Sequence, residues 1–147
     1  MLSYNSEQIF DLVIAVDRYP EFLPWCLSAN IIKEVDQTFD ADLVIGFKMF
    51  RQRFISRVTS RRPDWIEVIP ISGPFKRMNN SWRFKTQSED TCMIDFYVDF
   101  EFRSRLLNKL MGALFQEAVR RMVGAFEKRA FELYGTNNCC LESKRLV

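Results

Sequence analysis

Histidine is absent from all 147 residues. This removes the side chain that most often serves as general base, as the middle member of a nucleophilic triad and as a transition-metal ligand. Cysteine is scarce, with Cys26, Cys92, Cys139 and Cys140 the only four. Two are adjacent and no CxxC spacing exists, so neither a zinc site nor a disulfide framework is indicated; reduced cytoplasmic thiols are expected. Long apolar runs are missing as well. Nothing approaches the ~20 residues that cross a bilayer, and Lys109, Glu117, Arg120 and Arg121 interrupt the longest helical pattern. Met1-Leu2-Ser3-Tyr4-Asn5-Ser6 shows no basic and apolar leader and no arginine-rich transit segment. The expectation is a cytoplasmic, bacterial chain. A net charge of +2 is too small to argue for nucleic acid by itself.

What the chain does have is phenylalanine, 14 residues of it. With 48% hydrophobic and 27% charged residues the composition is that of one globular domain. Such a chain is better equipped to surround something apolar than to move protons.

Ser6 can cap a helix in which Ile9, Phe10, Leu12, Val13 and Val16 follow the 3.6 period. Tyr19-Pro20-Glu21-Phe22 restarts a short helical turn, with Pro20 where its missing N–H costs nothing. From about Ala29 to Arg103 the period becomes two. Leu43, Ile45, Phe47 and Met49 share a face. Phe54, Ser56 and Val58 alternate with Arg53, Arg57 and Arg61, and Met78, Trp82 and Phe84 alternate with Arg77, Arg83 and Lys85. Ile94, Phe96, Val98, Phe100 and Phe102 alternate with Asp95, Tyr97, Asp99 and Glu101. Trp65–Ser72 is a strand whose two faces are both apolar. This is the pattern of an antiparallel sheet with one wet face, and turn signals at Asp40, Arg62-Pro63-Asp64, Ser72-Gly73-Pro74 and Ser88-Glu89-Asp90 make it a meander of about six strands. If the last two strands pair, Arg83 and Lys85 face Asp95, Asp99 and Glu101.

From Arg105 to Tyr134 the pattern is helical again, through Leu107, Met111, Leu114, Ala118, Met122, Phe126 and Ala130, with Gly135 as stop signal. Gly112 and Gly124 inside it either bend the helix or bring it close to the sheet, or are tolerated weak points. The expected organisation is one domain over residues 1–135 and a flexible tail over 136–147. A long amphipathic helix lying in a curved sheet leaves a cavity between the two, the default ligand site.

Tyr19-Pro20-Glu21-Phe22-Leu23-Pro24-Trp25-Cys26 resembles the opening signature of the ubiquinone-binding coenzyme Q family within the polyketide cyclase/START superfamily. Gly73-Pro74-Phe75-Lys76-Arg77-Met78, Asn80-Ser81-Trp82-Arg83-Phe84, Phe54-Ile55-Ser56-Arg57-Val58 and Phe115-Gln116-Glu117-Ala118 agree with it. The resemblance covers roughly residues 4–134. It implies an α+β helix-grip fold with a hydrophobic tunnel, and two functions: ubiquinone delivery for respiration, or a bacterial toxin that blocks association of ribosomal subunits. The family has a strand ahead of the segment matching Tyr4, where only Met1-Leu2-Ser3 stand here. A truncated first strand would leave an open sheet edge and favour a homodimer.

Candidate ligand-binding residues are Phe22, Leu23, Trp25, Phe47, Met49, Phe54, Asn80, Trp82, Phe84, Phe96, Phe100, Met111, Phe115 and Met122. Aromatic faces suit a quinone ring and flexible methionines an irregular tail, although the same stripes are what any core looks like. Phe22, Leu23 and Trp25 act either as a lid at a tunnel mouth or as a tight turn capping it. Asn80 is the candidate to orient quinone carbonyls. Cys26 has no partner that would activate its thiolate.

Between Leu43 and Pro63 there are six basic residues and no acidic one. Arg53, Arg57 and Arg61 share a face that would dock on anionic lipid at the inner membrane or on ribosomal RNA, or else is an ordinary solvated face paired with neighbouring acids. Asp95 with Asp99, and Asp40 with Asp42, lack further ligands at metal spacing. No catalytic or metal-binding residue is assigned. The expected function is non-enzymatic binding of ubiquinone or a similar isoprenoid lipid, a bound ligand with no cofactor required; the alternative is a ribosome-binding regulator.

Overall fold

A computed structural model describes residues 4–47, 50–89 and 91–135, without the side chains of Phe47 and Phe50. Met49, the Cys139-Cys140 tail and the segment ahead of Tyr4 lie outside the described residues. The elements run α1 (Ser6–Ile14), a 3-10 helix (Val16–Glu21), β1 (Cys26–Val35), β2 (Thr38–Phe47), β3 (Phe50–Arg61), β4 (Trp65–Ser72), β5 (Phe75–Ser88), β6 (Thr91–Phe102) and α2 (Arg105–Tyr134).

Asn5, one residue before the expected Ser6, caps α1. Its Oδ1 accepts from the Gln8 N–H at 2.8 Å while Gln8 Oε1 accepts from the Asn5 N–H at 3.1 Å. This reciprocal box satisfies two orphan donors at once, which a serine at the next position could not do with Gln8. Ser6 is instead buried and shares a 2.7 Å hydrogen bond with Thr86 of β5, tying the helix to the sheet. Val16 also falls outside α1, in the 3-10 helix. An α-helix carried through here would lack the bond from residue 20 to the Val16 carbonyl, because Pro20 has no N–H.

The six strands pair consecutively and antiparallel, with β1 and β6 at the two edges. The first hairpin turns at Asp36-Gln37 rather than at Asp40. Asp36 takes φ 55°, a left-handed conformation that aspartate tolerates, and Asp40 lies within β2 opposite Arg57. Gly73 is demanded by its turn. Its φ is +136° and a Cβ there would sit 2.4 Å from the Cβ of Phe54. On β4, left unassigned by its apolar pattern, Ile66 and Val68 face the helix while Glu67, Ile69 and Ile71 face solvent.

The convex face carries a ladder of ion pairs. Arg53 meets Asp42 (Nε–Oδ1 2.9 Å) and Arg57 meets Asp40 (3.0 Å). Lys85 meets Asp95 at 2.8 Å, and Arg77 reaches both Asp99 and Glu101. Arg83 lies opposite Asp95 in register but turns its guanidinium to Glu67 of β4 at 3.1 Å. Such solvent-exposed pairs add little to stability, and their main effect is to fix register.

Helix α2 is 30 residues long, ~45 Å at 1.5 Å per residue. Its last turns are clamped. Phe126 packs edge-on against Tyr19, Phe22 and Trp82 at centroid distances of 5.6, 5.3 and 5.5 Å. The Tyr134 hydroxyl donates to the Gln8 carbonyl of α1 (3.0 Å), and Tyr4 donates to the Gly135 carbonyl (2.7 Å). Only Val119, Phe126 and Ala130 of this helix are fully buried. Gly112 and Gly124 bring no close approach to the sheet, since a Cβ at either would meet nothing within 4 Å.

Candidate functional site: an apolar cavity beneath the long helix

Between the concave face of the sheet and the N-terminal half of α2 lies a cavity of about 330 Å³, at the lower end of the ~300–1,000 Å³ typical of small-molecule sites. The alternation of the strands builds its floor. Phe54 and Val58 project from β3, Val68 from β4, Met78, Asn80 and Trp82 from β5, and Phe96, Val98 and Phe100 from β6. The roof is the stripe Met111, Leu114, Phe115, Ala118 and Met122 of α2. Leu23 and Trp25 close one end together with Tyr19.

Ten of the residues selected from the sequence stand in this wall: Leu23, Trp25, Phe54, Asn80, Trp82, Phe96, Phe100, Met111, Phe115 and Met122. Phe22 does not. Its ring is wedged against Tyr19 (5.7 Å) and Phe126 (5.3 Å), with the Arg129 guanidinium over it at 5.2 Å. Phe84 does not either, because α1 crosses that end of the sheet and Phe10 covers it at 5.9 Å. Phe47 is described only in its backbone, and Met49 not at all. The Tyr-Pro block is a tight turn that also lends surface to the cavity. The Tyr19 hydroxyl donates to the Val13 carbonyl, and burial pushes its pKa up.

Polar groups in the wall are few. Asn80 donates to the Tyr97 carbonyl (3.0 Å) and accepts from Trp82 Nε1 (3.1 Å), which leaves one N–H and one lone pair of its amide. Ser56, overlooked because a hydroxyl amid phenylalanines gives no pattern signal, lies on the floor fully buried, its Oγ without a hydrogen-bond partner. Arg121 was also overlooked. It is exposed and lines the cavity, so the cavity reaches solvent beside it. Burial raises the Cys26 thiol to about 11, so it is no nucleophile near neutral pH. Among the described residues the wall contains no aspartate, glutamate or histidine. Burial pushes both the Tyr19 hydroxyl and the Cys26 thiol up, away from neutrality. The arrangement is suited to enclosing apolar surface rather than to acid–base chemistry.

The arginine face lies on the opposite side of the sheet. The sequence window around it holds no acid, but pairing with β2 supplies two. Arg53 and Arg57 hold the Asp42 and Asp40 carboxyls below the usual carboxylate range, and Arg61 lies 3.9 Å from Asp64.

A six-stranded antiparallel sheet gripping one long C-terminal helix over an apolar cavity defines the START-like helix-grip class. The chain belongs to the family described as polyketide cyclase / dehydrase and lipid transport, which its residues 2–127 match. It is 39% identical to the ribosome association toxin RatA of Rickettsia prowazekii, across 90% of this chain and 93% of that protein. It is 33% identical to a mitochondrial coenzyme Q-binding protein COQ10 homolog B of Xenopus laevis, across 92% of this chain and 57% of that protein. Among solved structures, the 18 kDa protein CC1736 of Caulobacter crescentus is 36% identical and superposes with a TM-score of 0.74 over 92% of this chain and 94% of that one.

Proposed function

We propose that this protein binds an isoprenoid quinone, ubiquinone or a close analogue, in the cavity beneath α2 and holds it as cargo for respiratory electron transport, without catalysing a reaction. The observation that carries this reading is the cavity wall: Trp82, Phe96, Phe100 and Phe115 offer ring faces, while Met78, Met111 and Met122 offer adaptable surface for a tail. Burial alone gains ~25 cal/mol per Å² of apolar surface removed from water, so few polar contacts are needed. Asn80 can present its remaining N–H to a quinone carbonyl. The relative named for coenzyme Q binding supports the choice of ligand. The test is organic extraction of protein purified from a ubiquinone-producing bacterium, with mass spectrometry of the lipid. Ubiquinone at near one per chain is expected, and its loss in Ala118→Trp, which fills the cavity from a half-buried roof position. A folded protein that carries no quinone overturns the proposal.

The relationship to proteins named as ribosome association toxins favours a second reading, in which the chain binds a ribosomal subunit and hinders subunit association. Arg53 and Arg57 would then have to exchange their carboxylate partners for phosphates. Co-sedimentation with subunits that falls steeply with salt and is lost when Arg53, Arg57 and Arg61 are reversed to Glu would support it; binding that survives the reversal would exclude this face.

A further inference from the structure

The first three turns of α2 present a face that nothing among the described residues covers. Leu106 is 66% exposed and Leu110 is 42% exposed, one helical turn apart and therefore side by side. Arg105 and Lys109 are exposed on the same turns. From Arg103 to Gln116 the chain contains no acidic residue. These leucines are not the product of a loosely placed helix end. Asn108 clasps the last residue of β6 from both sides, its Oδ1 accepting from the Phe102 N–H at 2.7 Å and its Nδ2 donating to the Phe102 carbonyl at 2.9 Å. Ser104 Oγ accepts from the Leu107 N–H at 3.3 Å. The rotation of the helix is thereby set, with Leu107 and Met111 turned toward the core and Leu106 and Leu110 turned out.

We propose that this face, Arg105, Leu106, Lys109 and Leu110, docks the protein on an anionic phospholipid bilayer. Two leucines flanked by two cations match the interfacial region of such a membrane, where apolar side chains enter the acyl boundary and cations meet lipid phosphates. Ribosomal RNA fits less well, because exposed leucines gain nothing against phosphate or base edges, and the aromatic platform that stacks bases is missing from these turns. The arginine face of the sheet is the poorer candidate for either partner, since Arg53 and Arg57 are already spent on Asp42 and Asp40. Position also argues for lipid. On the same turns Met111 forms part of the cavity roof, so docking sets the roof of a quinone site against the phase in which quinone dissolves. The inference rests on the proposed function for its purpose, though not for its test.

That test is flotation of the full chain with vesicles of phosphatidylglycerol and phosphatidylcholine, against vesicles of phosphatidylcholine alone and against ribosomal subunits. Binding is expected only to the anionic vesicles, weakening as salt rises. Arg105→Gln with Lys109→Gln should weaken it roughly 25-fold, at about fivefold per cation near the surface. Leu106→Ser with Leu110→Ser should weaken it at all salt concentrations, while Arg53→Gln with Arg57→Gln should leave it unchanged. All these side chains are solvent-exposed or half-exposed, and circular dichroism checks the fold of each variant. Failure to float with anionic vesicles, or flotation indifferent to the α2 variants, overturns the inference. So does subunit binding with the same residue dependence and no vesicle binding, which would assign the face to RNA. Vesicle binding by a protein that extracts with no quinone would sustain the docking face and remove the carrier reading.

Discussion

The two halves of α2 are built for different tasks. Residues 119–134 bury Val119, Phe126 and Ala130 and end in hydrogen bonds to α1 and to Tyr4. Residues 105–118 bury none of their side chains fully and roof a cavity. One amphipathic stripe runs through both, yet as far as Met122 it is ligand surface, and beyond that it turns into core. The difference lies in what stands opposite. Tyr19 and Phe22, at the 3-10 helix, fill the space under the second half against Phe126, whereas the curved sheet stands under the first. A stable clamp at one end lets the other end stand off the sheet without being lost.

Substitutions should read out this contrast. Phe126→Ala removes the ring shared by Tyr19, Phe22 and Trp82 and should cost about 3–5 kcal/mol in denaturant unfolding. Met111→Ala, at an equivalent stripe position over the cavity, should cost about 1 kcal/mol or less, because its side chain is only half-buried and faces open space. Comparable losses at the two sites would erase the distinction between the halves. Gly73→Ala should cost about 2–4 kcal/mol, from a strained φ together with the clash against Phe54. Gly112→Ala and Gly124→Ala are expected to have the opposite sign, each gaining up to ~1 kcal/mol of helix propensity where a Cβ meets nothing. A loss at Gly112 would mean that the roof closes more tightly on the sheet than it does in this structure.

How much of this the sequence shows depends on the range of the interaction. The alternating faces of β2, β3, β5 and β6 and the span Arg105–Tyr134 follow from local periodicity, and so does most of the cavity floor. What local pattern could not supply is which part of an apolar face another element covers. Phe84 and Phe96 are alike in the sequence, one step apart on paired strands, but α1 lies over Phe84 and leaves Phe96 to the cavity. The sequence groups Phe22 with Leu23 and Trp25 as a lid or a capping turn, whereas the fold sets its ring against Tyr19 and Phe126, away from the cavity. For the arginine stripe the sequence leaves docking surface and paired, solvated face both open; Asp40 and Asp42 precede it by a hairpin, and strand pairing is needed to see that they meet Arg57 and Arg53. Arg121 gave no signal at all, being one charge among several on an exposed helix.

Smaller effects should follow from titration. The Arg57 and Arg53 guanidinia hold the Asp40 and Asp42 carboxyls below their ordinary values, so the folded state binds protons less readily there than the unfolded chain. Their contribution is therefore present above the unfolded carboxylate pKa near 4 and lost as pH falls through the lower folded values. Asp40→Asn with Asp42→Asn should flatten the acid limb of stability slightly, since both pairs are exposed. Burial raises Cys26 and Cys92 to about 11, so both thiols should resist alkylation at pH 8 until the chain unfolds, as peptide mapping after labelling would show. Rapid native labelling of either would mean that the sheet opens far more readily than its packing implies.

The central claim is that the N-terminal half of α2 is a roof over a ligand rather than a loosely packed core helix. Native-state hydrogen exchange with and without a short-tailed ubiquinone tests it most directly. The account predicts slower exchange across residues 105–122, which roof the cavity, on loading, with the last turns, residues 127–134, unchanged because they are already clamped. Equal exchange in both halves with and without the quinone, at concentrations where the protein stays folded, would contradict it.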